Sequence, residues 1–225
     1  MKAPNKSGSL YFNYRGYFSL VLLALVDANY KFIAVDIGSL GSNSDGGILI
    51  DSNLGKGLEM DALGIPQPEI LPMHPQFGPL PYVIVGDEAF PLKSYMMRPY
   101  PGRQIERERM IFNYRLSRAR RVSENAFGIL ASRFRIYHRS IEMKPSNLIK
   151  VVQATVVLHN LLQKKNNSPF ETQEIDPCPL NGVPARAQGN RSTQNASNVR
   201  NRFKEYFNTS GVVEWQNQQA HCDML

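Results

Sequence analysis

The first apolar segments of the chain form two short runs separated by a polar turn. Residues 17–26 read YFSLVLLALV and residues 30–37 read YKFIAVDI, with Asp27, Ala28 and Asn29 between them. Apolar runs of this length are typical of buried strands, and Asp and Asn favour turns. The pattern therefore predicts a β-hairpin, while periodicity alone leaves a short helix open for the first run.

Turn-forming residues and prolines dominate the next stretch. Residues 38–47 (GSLGSNSDGG) predict a loop, and residues 48–59 predict a modest helix that two glycines weaken. Six prolines occur in residues 64–81, which predicts a surface loop because proline fixes φ and removes a backbone donor. The run YVIV at residues 82–85 then predicts a third buried strand.

Helical periodicity governs the apolar pattern that follows. From Glu106 to about Tyr137, apolar residues recur every three or four positions, which predicts a long amphipathic helix. Pro145 interrupts the pattern, and residues 146–164 predict a second helix. A hairpin followed by a strand and two helices is typical of α/β layers around a mixed sheet. The stripe of the long helix consists of Phe112, Leu116, Ala119, Val122, Ala126, Leu130 and Phe134.

The end of the apolar pattern sets the predicted domain organisation. Residues 1–164 predict one α/β domain. Residues 165–197 are rich in Asn, Ser, Pro, Gln and Gly and predict a disordered linker. Residues 198–225 predict a C-terminal tail that contains a short amphipathic helix over residues 198–207.

Arginine is concentrated in the long predicted helix and its flanks. The chain has 225 residues and a formal net charge of +7, and residues 103–139 hold ten arginines, three glutamates and no lysine. An arginine-rich helix is usually a solvated face, but the planar guanidinium also donates paired hydrogen bonds to phosphate. The charge distribution therefore raises the expectation of a nucleic-acid partner bound through its backbone.

Other classes of site have little support in the sequence. Cys178 and Cys222 provide neither a metal-binding pair nor a disulfide framework. The four histidines show no metal-ligand spacing, and His159 is expected to be a core or flank histidine. The apolar run 18–26 is far shorter than the roughly 20 residues that cross a bilayer, so no membrane partner is expected.

Three acidic residues lie where a site is expected, and each also has a plainer structural explanation. Asp87 follows the strand YVIV, and functional groups of open α/β sheets gather at such strand ends, but Asp is also a common turn residue. Glu124 lies on the shoulder of the helix stripe, where an ion pair with Arg120 one turn earlier would also explain it. Asp45 ends the glycine-rich loop and by itself predicts a helix N-cap.

Four ordered sequence blocks resemble the DDE endonuclease domain of PIF/Harbinger transposases and of the nucleases derived from them. The blocks read KAPNKSGSLYFNYRGYFSLVLLALVDANYKFIAVDIGSLGSNSD, YVIVGDEAFPL, NYRLSRARRVSENAFGILASRFR and VVLHNLL, in the family's order over residues 2–162. The resemblance implies an α/β fold of RNase H-like type, with a mixed sheet and flanking helices. It also implies a nuclease that acts on DNA in the nucleus, with a Myb-like DNA-binding protein as a partner.

Matched block by block, the resemblance assigns roles to residues already noted. Asp45, Asp87 and Glu124 would bind a divalent metal, Mg²⁺ or Mn²⁺, because both ions prefer hard oxygen ligands. Asp87 and Glu124 would be the catalytic carboxylates of a two-metal phosphoryl transfer. The arginines expected to clamp the DNA backbone are Arg115, Arg118, Arg120 and Arg121.

One feature of the family is not found in the sequence. Family members carry a strand with a D-G-x-H-like motif just before the block that begins here at Lys2, and residues 1–225 contain no such motif. The first acid of the triad and the first strand of the sheet are therefore expected to be missing. Two hypotheses remain: a divalent-metal endonuclease impaired by loss of that ligand, or a catalytically inactive remnant that binds DNA or a protein partner.

Overall fold

The computed structural model describes residues 1–4, 7–73, 75–102, 105–165 and 193–216, and it contains both strands and helices. The strands are β1 (Leu20–Val26), β2 (Phe32–Leu40), β3 (Ile84–Val85) and β4 (Met96–Met97). The helices are α1 (Asp45–Asp51), α2 (Asn53–Glu59), α3 (Arg107–Arg133), α4 (Pro145–Lys165) and α5 (Gln194–Asn208). None of these described helices is both long and apolar enough to cross a bilayer.

The chain divides into two compact units, and the division falls inside α3. The first unit comprises Met1–Leu54 and Val122–Ala185, and the second comprises Gly55–Arg121 and Arg186–Leu225. Most of the predicted linker, residues 165–197, lies outside the described residues, so its disorder stays a prediction. The two cysteines also lie outside the described residues.

The first unit contains the predicted β-hairpin, in which β1 and β2 pair antiparallel. The Asp27 carboxylate organises its turn by accepting hydrogen bonds from the N–H groups of Asn29 at 2.8 Å and Lys31 at 2.9 Å. Tyr30 adopts a φ of 61° in the same turn. The strand predicted within residues 17–26 is therefore confirmed for Leu20–Val26, and the alternative prediction of a short helix is wrong for these residues.

α4 lies against the hairpin and is joined to it by side-chain hydrogen bonds. The Asn160 amide accepts from the Phe32 N–H and donates to the Phe32 carbonyl, both at 2.9 Å. Nε2 of His159 lies 2.7 Å from the Tyr30 carbonyl, and the His159 side chain is fully buried. The expectation of a core histidine is confirmed. The buried residues of this core are Phe32, Ala126, Leu130 and Val156.

α1 begins with a cap that Ser44 provides, which corrects the expectation that Asp45 is the N-cap. The Ser44 hydroxyl accepts a hydrogen bond from the Gly47 N–H at 3.3 Å. Asp45 is the first helical residue, where its negative charge faces the positive end of the helix dipole. The single helix predicted over residues 48–59 is two helices, because α1 ends before Ser52.

The long helix expected from the apolar stripe is confirmed as α3. It ends at Arg133, and a 3-10 turn over Arg135–His138 occupies the end of the predicted range. Ala119 is exposed although it belongs to the stripe. The stripe residues that are fully buried are Phe112, Leu116, Ala126 and Leu130.

The second unit has its own core, and α5 contributes to it. α5 begins at Gln194, earlier than the helix predicted over residues 198–207. Its Ala196 and Val199 are buried among side chains from residues 55–121, so this helix is part of a packed core. The core consists of Leu80, Leu92, Met97, Tyr100, Phe112, Leu116, Ala196 and Val199.

The strand predicted over residues 82–85 is shorter than expected. Only Ile84–Val85 is a strand, and it pairs in parallel with β4, which the apolar pattern did not predict. The described strands form two separate two-stranded sheets, β1–β2 and β3–β4. The mixed α/β class is therefore confirmed, and a single mixed sheet is not found among the described residues.

Candidate functional site

Asp87 lies in the turn that follows β3. Its Oδ1 accepts a hydrogen bond from the Ala89 N–H at 2.9 Å, and its Oδ2 lies 3.8 Å from Nη2 of Arg120 on α3. The Asp87 side chain is 39% exposed and the Arg120 side chain is 22% exposed. Asp87 is therefore a turn residue and, at the same time, an accessible anion that faces a guanidinium.

Gly86 determines how the chain leaves β3 toward Asp87. A Cβ at Gly86 would lie 2.9 Å from Cδ2 of Phe90 and 3.1 Å from Sδ of Met96. The Gly86 N–H donates to the Met97 carbonyl at 2.9 Å, which holds the backbone against β4. A larger residue would have to displace these neighbours, so close packing fixes the strand end from which Asp87 projects.

Glu124 is exposed on α3, and Asp45 is exposed at the start of α1. Both belong to the first unit, whereas Asp87 and Arg120 belong to the second. Among the residues that the structure describes, no three His, Cys, Asp or Glu side chains form a group that could hold a metal ion. The structure thus brings Asp87 together with Arg120, and the described residues alone do not assemble the three acids into a metal-binding group.

Arg115 holds the segment that follows α5. Its Nη1 donates to the Gly211 carbonyl at 2.7 Å and to Oε1 of Gln216 at 3.0 Å. Its guanidinium carbon lies 4.2 Å from the ring centre of Phe207 and 5.4 Å from that of Trp215. Burial lowers the pKa of Arg115. A DNA contact of Arg115 would have to compete with these internal contacts, which the sequence did not reveal.

Arg118 and Arg121 have fewer internal contacts than Arg115. The guanidinium carbon of Arg118 lies 4.2 Å from the ring centre of Trp215, and its Nη1 lies 3.4 Å from the Tyr114 hydroxyl. Arg121 is half-buried and makes no hydrogen bond or ion pair with any described residue. Of the four predicted arginines, Arg121 therefore has the guanidinium that is most available to a phosphate.

A second arginine cluster surrounds Tyr100 in the second unit. The guanidinium carbons of Arg200 and Arg109 lie 3.9 Å and 5.3 Å from the centre of the Tyr100 ring. The Tyr100 hydroxyl donates to Oδ1 of Asn201 at 2.7 Å, and burial raises the pKa of Tyr100. Sequence analysis missed this cluster because Arg200 lies on α5, far along the chain from Arg109, and only tertiary packing joins them.

Sequence comparison with known proteins provides information that is independent of this geometry. Residues 1–160 match the family model described as DDE superfamily endonuclease. The chain is 30% identical over 168 residues to "Protein ALP1-like" of Arabidopsis thaliana. This match covers 72% of this chain and 38% of that protein. The chain is 27% identical over 164 residues to "Putative nuclease HARBI1" of Homo sapiens, and 28% identical over 166 residues to the Xenopus laevis protein of that name. Each of these two matches covers 72% of this chain and 42% of the relative.

The extent of these matches determines what they establish. The chain spans about two fifths of the length of these curated relatives, 38% to 42%. No solved structure has a significant match to the chain. The family match covers well over half of the 225 residues and includes Asp45, Asp87 and Glu124. The chain therefore belongs to the DDE superfamily endonuclease family.

Proposed function

We propose that the chain supplies part of an RNase H-like nuclease site that cleaves phosphodiester bonds in DNA. In this site Asp87 and Glu124 are the catalytic carboxylates and Asp45 is an additional ligand. Membership of the family supports a nuclease-type activity. The observation that carries the proposal is the position of Asp87, an accessible carboxylate at a strand end that faces Arg120 at 3.8 Å.

The chemistry of these side chains suits a hard divalent cation, which the proposal includes as Mg²⁺ or Mn²⁺. Carboxylate oxygens are preferred ligands of both ions, and Mg²⁺ at phosphate-processing sites usually uses one or two carboxylates together with substrate phosphates. Metal binding in the presence of DNA therefore does not require that the three acids already form a group in the chain without DNA. When bound, the cation would lower the pKa of a water molecule and stabilise negative charge on the leaving oxygen.

Arg120 forms an ion pair with Asp87 when no other cation is bound to that carboxylate. An ion pair between two partly exposed side chains at 3.8 Å contributes only about 0–1 kcal/mol. Asp87 can therefore exchange Arg120 for another cation at little cost. The released guanidinium of Arg120 is then able to donate paired hydrogen bonds to a backbone phosphate.

The remaining arginines of α3 are proposed to bind the DNA backbone. Arg121 is the most available of them, and Arg118 keeps donors beyond its contact with Tyr114. Contacts of this kind give affinity that depends on salt and not on base sequence. Arg115 is assigned mainly to holding Gly211 and Gln216, because its hydrogen bonds and its flat face are already engaged there.

A catalytically inactive protein that binds DNA or a protein partner is the second candidate. It is favoured by the lack, within the described part of the chain, of any group of three potential metal ligands. It is also favoured by the pairing of Asp87 with Arg120, which neutralises the carboxylate without a metal. The basic surface would keep its affinity for DNA in this case.

Cleavage of a supercoiled plasmid, with Mg²⁺ or Mn²⁺ and with EDTA, separates the two candidates. The nuclease proposal expects cation-dependent nicking whose rate falls at least tenfold in D87N and in E124Q, with DNA affinity measured in EDTA changed less than twofold. E142Q is the matched control, because Glu142 is exposed and, among the described residues, its ion-pair partner is the exposed Lys2 at 3.7 Å. DNA binding without any nicking supports the second candidate, and nicking that survives both variants rejects the proposed carboxylates.

A DNA substrate leads to two further proposals, nuclear location and a Myb-like partner. The arginine contacts proposed above are made to the DNA backbone and do not distinguish base sequences. A separate DNA-binding protein would therefore have to supply sequence selectivity. A fluorescent fusion tests the location. Binding to two unrelated duplexes, with and without a candidate Myb-like protein, tests the partner, because selectivity should arise only when the partner is present.

A further inference from the structure

Tyr100 forms a rigid support for two arginines in the second unit. The side chain of Asn113 binds both backbone groups of Tyr100, since its Oδ1 accepts from the N–H at 2.7 Å and its Nδ2 donates to the carbonyl at 3.0 Å. The centre of the buried ring lies 3.9 Å from the guanidinium carbon of Arg200 and 5.3 Å from that of Arg109. An arginine that stacks by its flat face keeps its N–H donors, which lie in the guanidinium plane, available to other acceptors.

Arg98, which directly follows β4, brings a third guanidinium to this region. Its Nη1 donates to the Phe90 carbonyl at 3.2 Å and lies 3.4 Å from the Glu88 carbonyl, and these contacts position the side chain. Burial lowers the pKa of Arg200, and the positive charges of Arg98 and Arg109 lower it further. Both of the other guanidinium groups are therefore close enough to Arg200 to repel its charge.

Carboxylates of the described residues neutralise only part of the positive charge around Tyr100. Two of the cations pair with exposed glutamates, whereas Arg98 and Arg200 form no ion pair with any described residue. Nε of Arg200 is also enclosed and has no hydrogen-bond partner among these residues. Since an enclosed N–H without an acceptor is rare and unfavourable, Arg98 and Arg200 leave both charge and donors unsatisfied. The neutralised pairs are Arg109 with Glu106 at 3.4 Å and Lys204 with Glu108 at 2.8 Å.

The charge and shape of a phosphate group suit two guanidinium groups that have no acidic partner. A phosphate monoester carries a charge of about −1.5 to −2 near pH 7 and has three strong acceptor oxygens. Each planar guanidinium can donate two parallel hydrogen bonds to such oxygens. A carboxylate has one negative charge and two oxygens, so it would leave one of the two guanidinium groups without a counter-charge.

We propose that Arg98 and Arg200 form a binding site for a doubly charged phosphate group, with the more exposed Arg109 at its rim. The phosphate oxygens accept hydrogen bonds from both guanidinium groups, and the ligand neutralises the two charges that no described carboxylate neutralises. The terminal phosphate of a polynucleotide and free phosphate share this chemistry. The proposal does not rest on the proposed nuclease function, because Asp87, Glu124 and a divalent cation take no part in it.

Titration of the full chain with inorganic phosphate tests the site by nuclear magnetic resonance. The chemical shifts of the arginine Cζ atoms are followed at pH 7 and in EDTA, with sodium chloride keeping the ionic strength constant. R98K and R200K assign the two signals, because each variant lacks one of them. Acetate is the control anion, and Arg15, an exposed arginine whose Nε donates to the Tyr14 hydroxyl at 3.0 Å, provides the control signal.

The proposal expects phosphate to shift the Arg98 and Arg200 signals saturably, at least fivefold more than acetate does, and to leave the Arg15 signal unchanged. R200Q should weaken phosphate binding at least tenfold, measured on the Arg98 signal, whereas R15Q should change it less than twofold. Equal shifts with phosphate and acetate, or an Arg15 shift of the same size, overturn the proposal. This comparison decides even if R200Q does not fold, because it uses the wild-type chain.

Two decanucleotides that differ only in a 5′-terminal phosphate identify the source of the ligand. Fluorescence anisotropy in EDTA measures the affinity of each strand, so cleavage does not enter the result. At least fivefold tighter binding of the phosphorylated strand, lost in R200Q, identifies a polynucleotide end. Equal affinities together with the phosphate-induced shifts identify free phosphate, and a preference that R200Q retains overturns the site, because the terminal phosphate is then bound elsewhere.

Discussion

At the residue scale, Asp87 combines a structural contact with a chemical one. One carboxylate oxygen closes the turn with Ala89, and the other faces Arg120. Position after a strand indicated both a turn residue and a site residue, and the structure contains the features of each. The pairing with Arg120 was not predictable, because it depends on how the β3 turn packs against α3.

Replacing Asp87 by asparagine separates these contacts. Asparagine keeps the oxygen that accepts from Ala89 but loses the charge that attracts Arg120. We expect D87N to lower the free energy of unfolding by no more than about 1 kcal/mol, since exposed ion pairs contribute little. D87A should cost about 1 kcal/mol more, because it also removes the turn contact. Urea denaturation followed by circular dichroism measures both, and a large loss in D87N would mean that the ion pair is a major stabilising contact.

The buried His159 should make the first unit sensitive to acid. Burial lowers its pKa below the ordinary value of 6.5, so near pH 6 the unfolded chain binds a proton that the folded chain does not. The stability that the neutral ring contributes is full above pH 6.5 and is lost as the pH falls through that value toward the folded pKa. We expect a lower free energy of unfolding at pH 5.5 than at pH 7.5.

The variant H159Q should be destabilised by about 1–3 kcal/mol at pH 7.5, because its polar contacts change inside the core. It should also lose most of the difference between the two pH values. The exposed His138 provides the control, and H138Q should keep the wild-type difference. An unchanged pH dependence in H159Q would show that another group causes the acid sensitivity.

At the element scale, the hairpin, α3 and α4 could be predicted because each carries a local pattern. Apolar runs around Asp27 marked the hairpin, and the apolar stripe marked α3. β4 could not be predicted, since two methionines carry no strand signal and pair only because β3 lies beside them. The contribution of α5 to a core also could not be predicted, because it depends on tertiary packing. Ala196 and Val199 pack against residues more than 70 positions earlier in the sequence.

Two helical glycines should respond differently to replacement by alanine. A Cβ at Gly128 in α3 would meet no atom within 4 Å, so G128A should stabilise the protein by about 0.5–1 kcal/mol through the helix propensity of alanine. A Cβ at Gly57 in α2 would lie 2.5 Å from Cδ2 of Leu63, so G57A should lose that benefit or destabilise. Denaturant midpoints measure both, and equal effects would contradict the packing described at Gly57.

At the scale of the whole molecule, charge and chain topology are the dominant features. A formal net charge of +7 favours an anionic partner, and the arginines of α3 provide the contacts proposed for it. Residues distant in sequence build each unit, since residues 1–54 pack with residues 122–165 and residues 55–121 pack with residues 193–216. Sequence patterns predicted a single domain over residues 1–164 and could not reveal this division, because it depends on contacts between distant segments.

Removal of Arg121 tests the proposed DNA contact. R121A should weaken binding to unrelated duplexes by a similar factor, and it should lower the slope of log affinity against log salt by about one. R15A removes the same charge from an exposed position next to Tyr14 and should leave the slope nearly unchanged. Fluorescence anisotropy over a range of salt concentrations measures the slopes, and equal slopes for R121A and the wild type would remove Arg121 from the DNA contact.

The most direct test of the proposed site is the binding of Mn²⁺ to the chain with and without a short DNA duplex. Electron paramagnetic resonance counts free Mn²⁺, and the contribution of DNA alone is subtracted. If Asp87 shares a cation with backbone phosphate, DNA should raise the Mn²⁺ affinity of the wild-type chain at least tenfold, and D87N should abolish that increase. The same increase in D87N, or no increase in either protein, would contradict the assignment of Asp87 to a nuclease site.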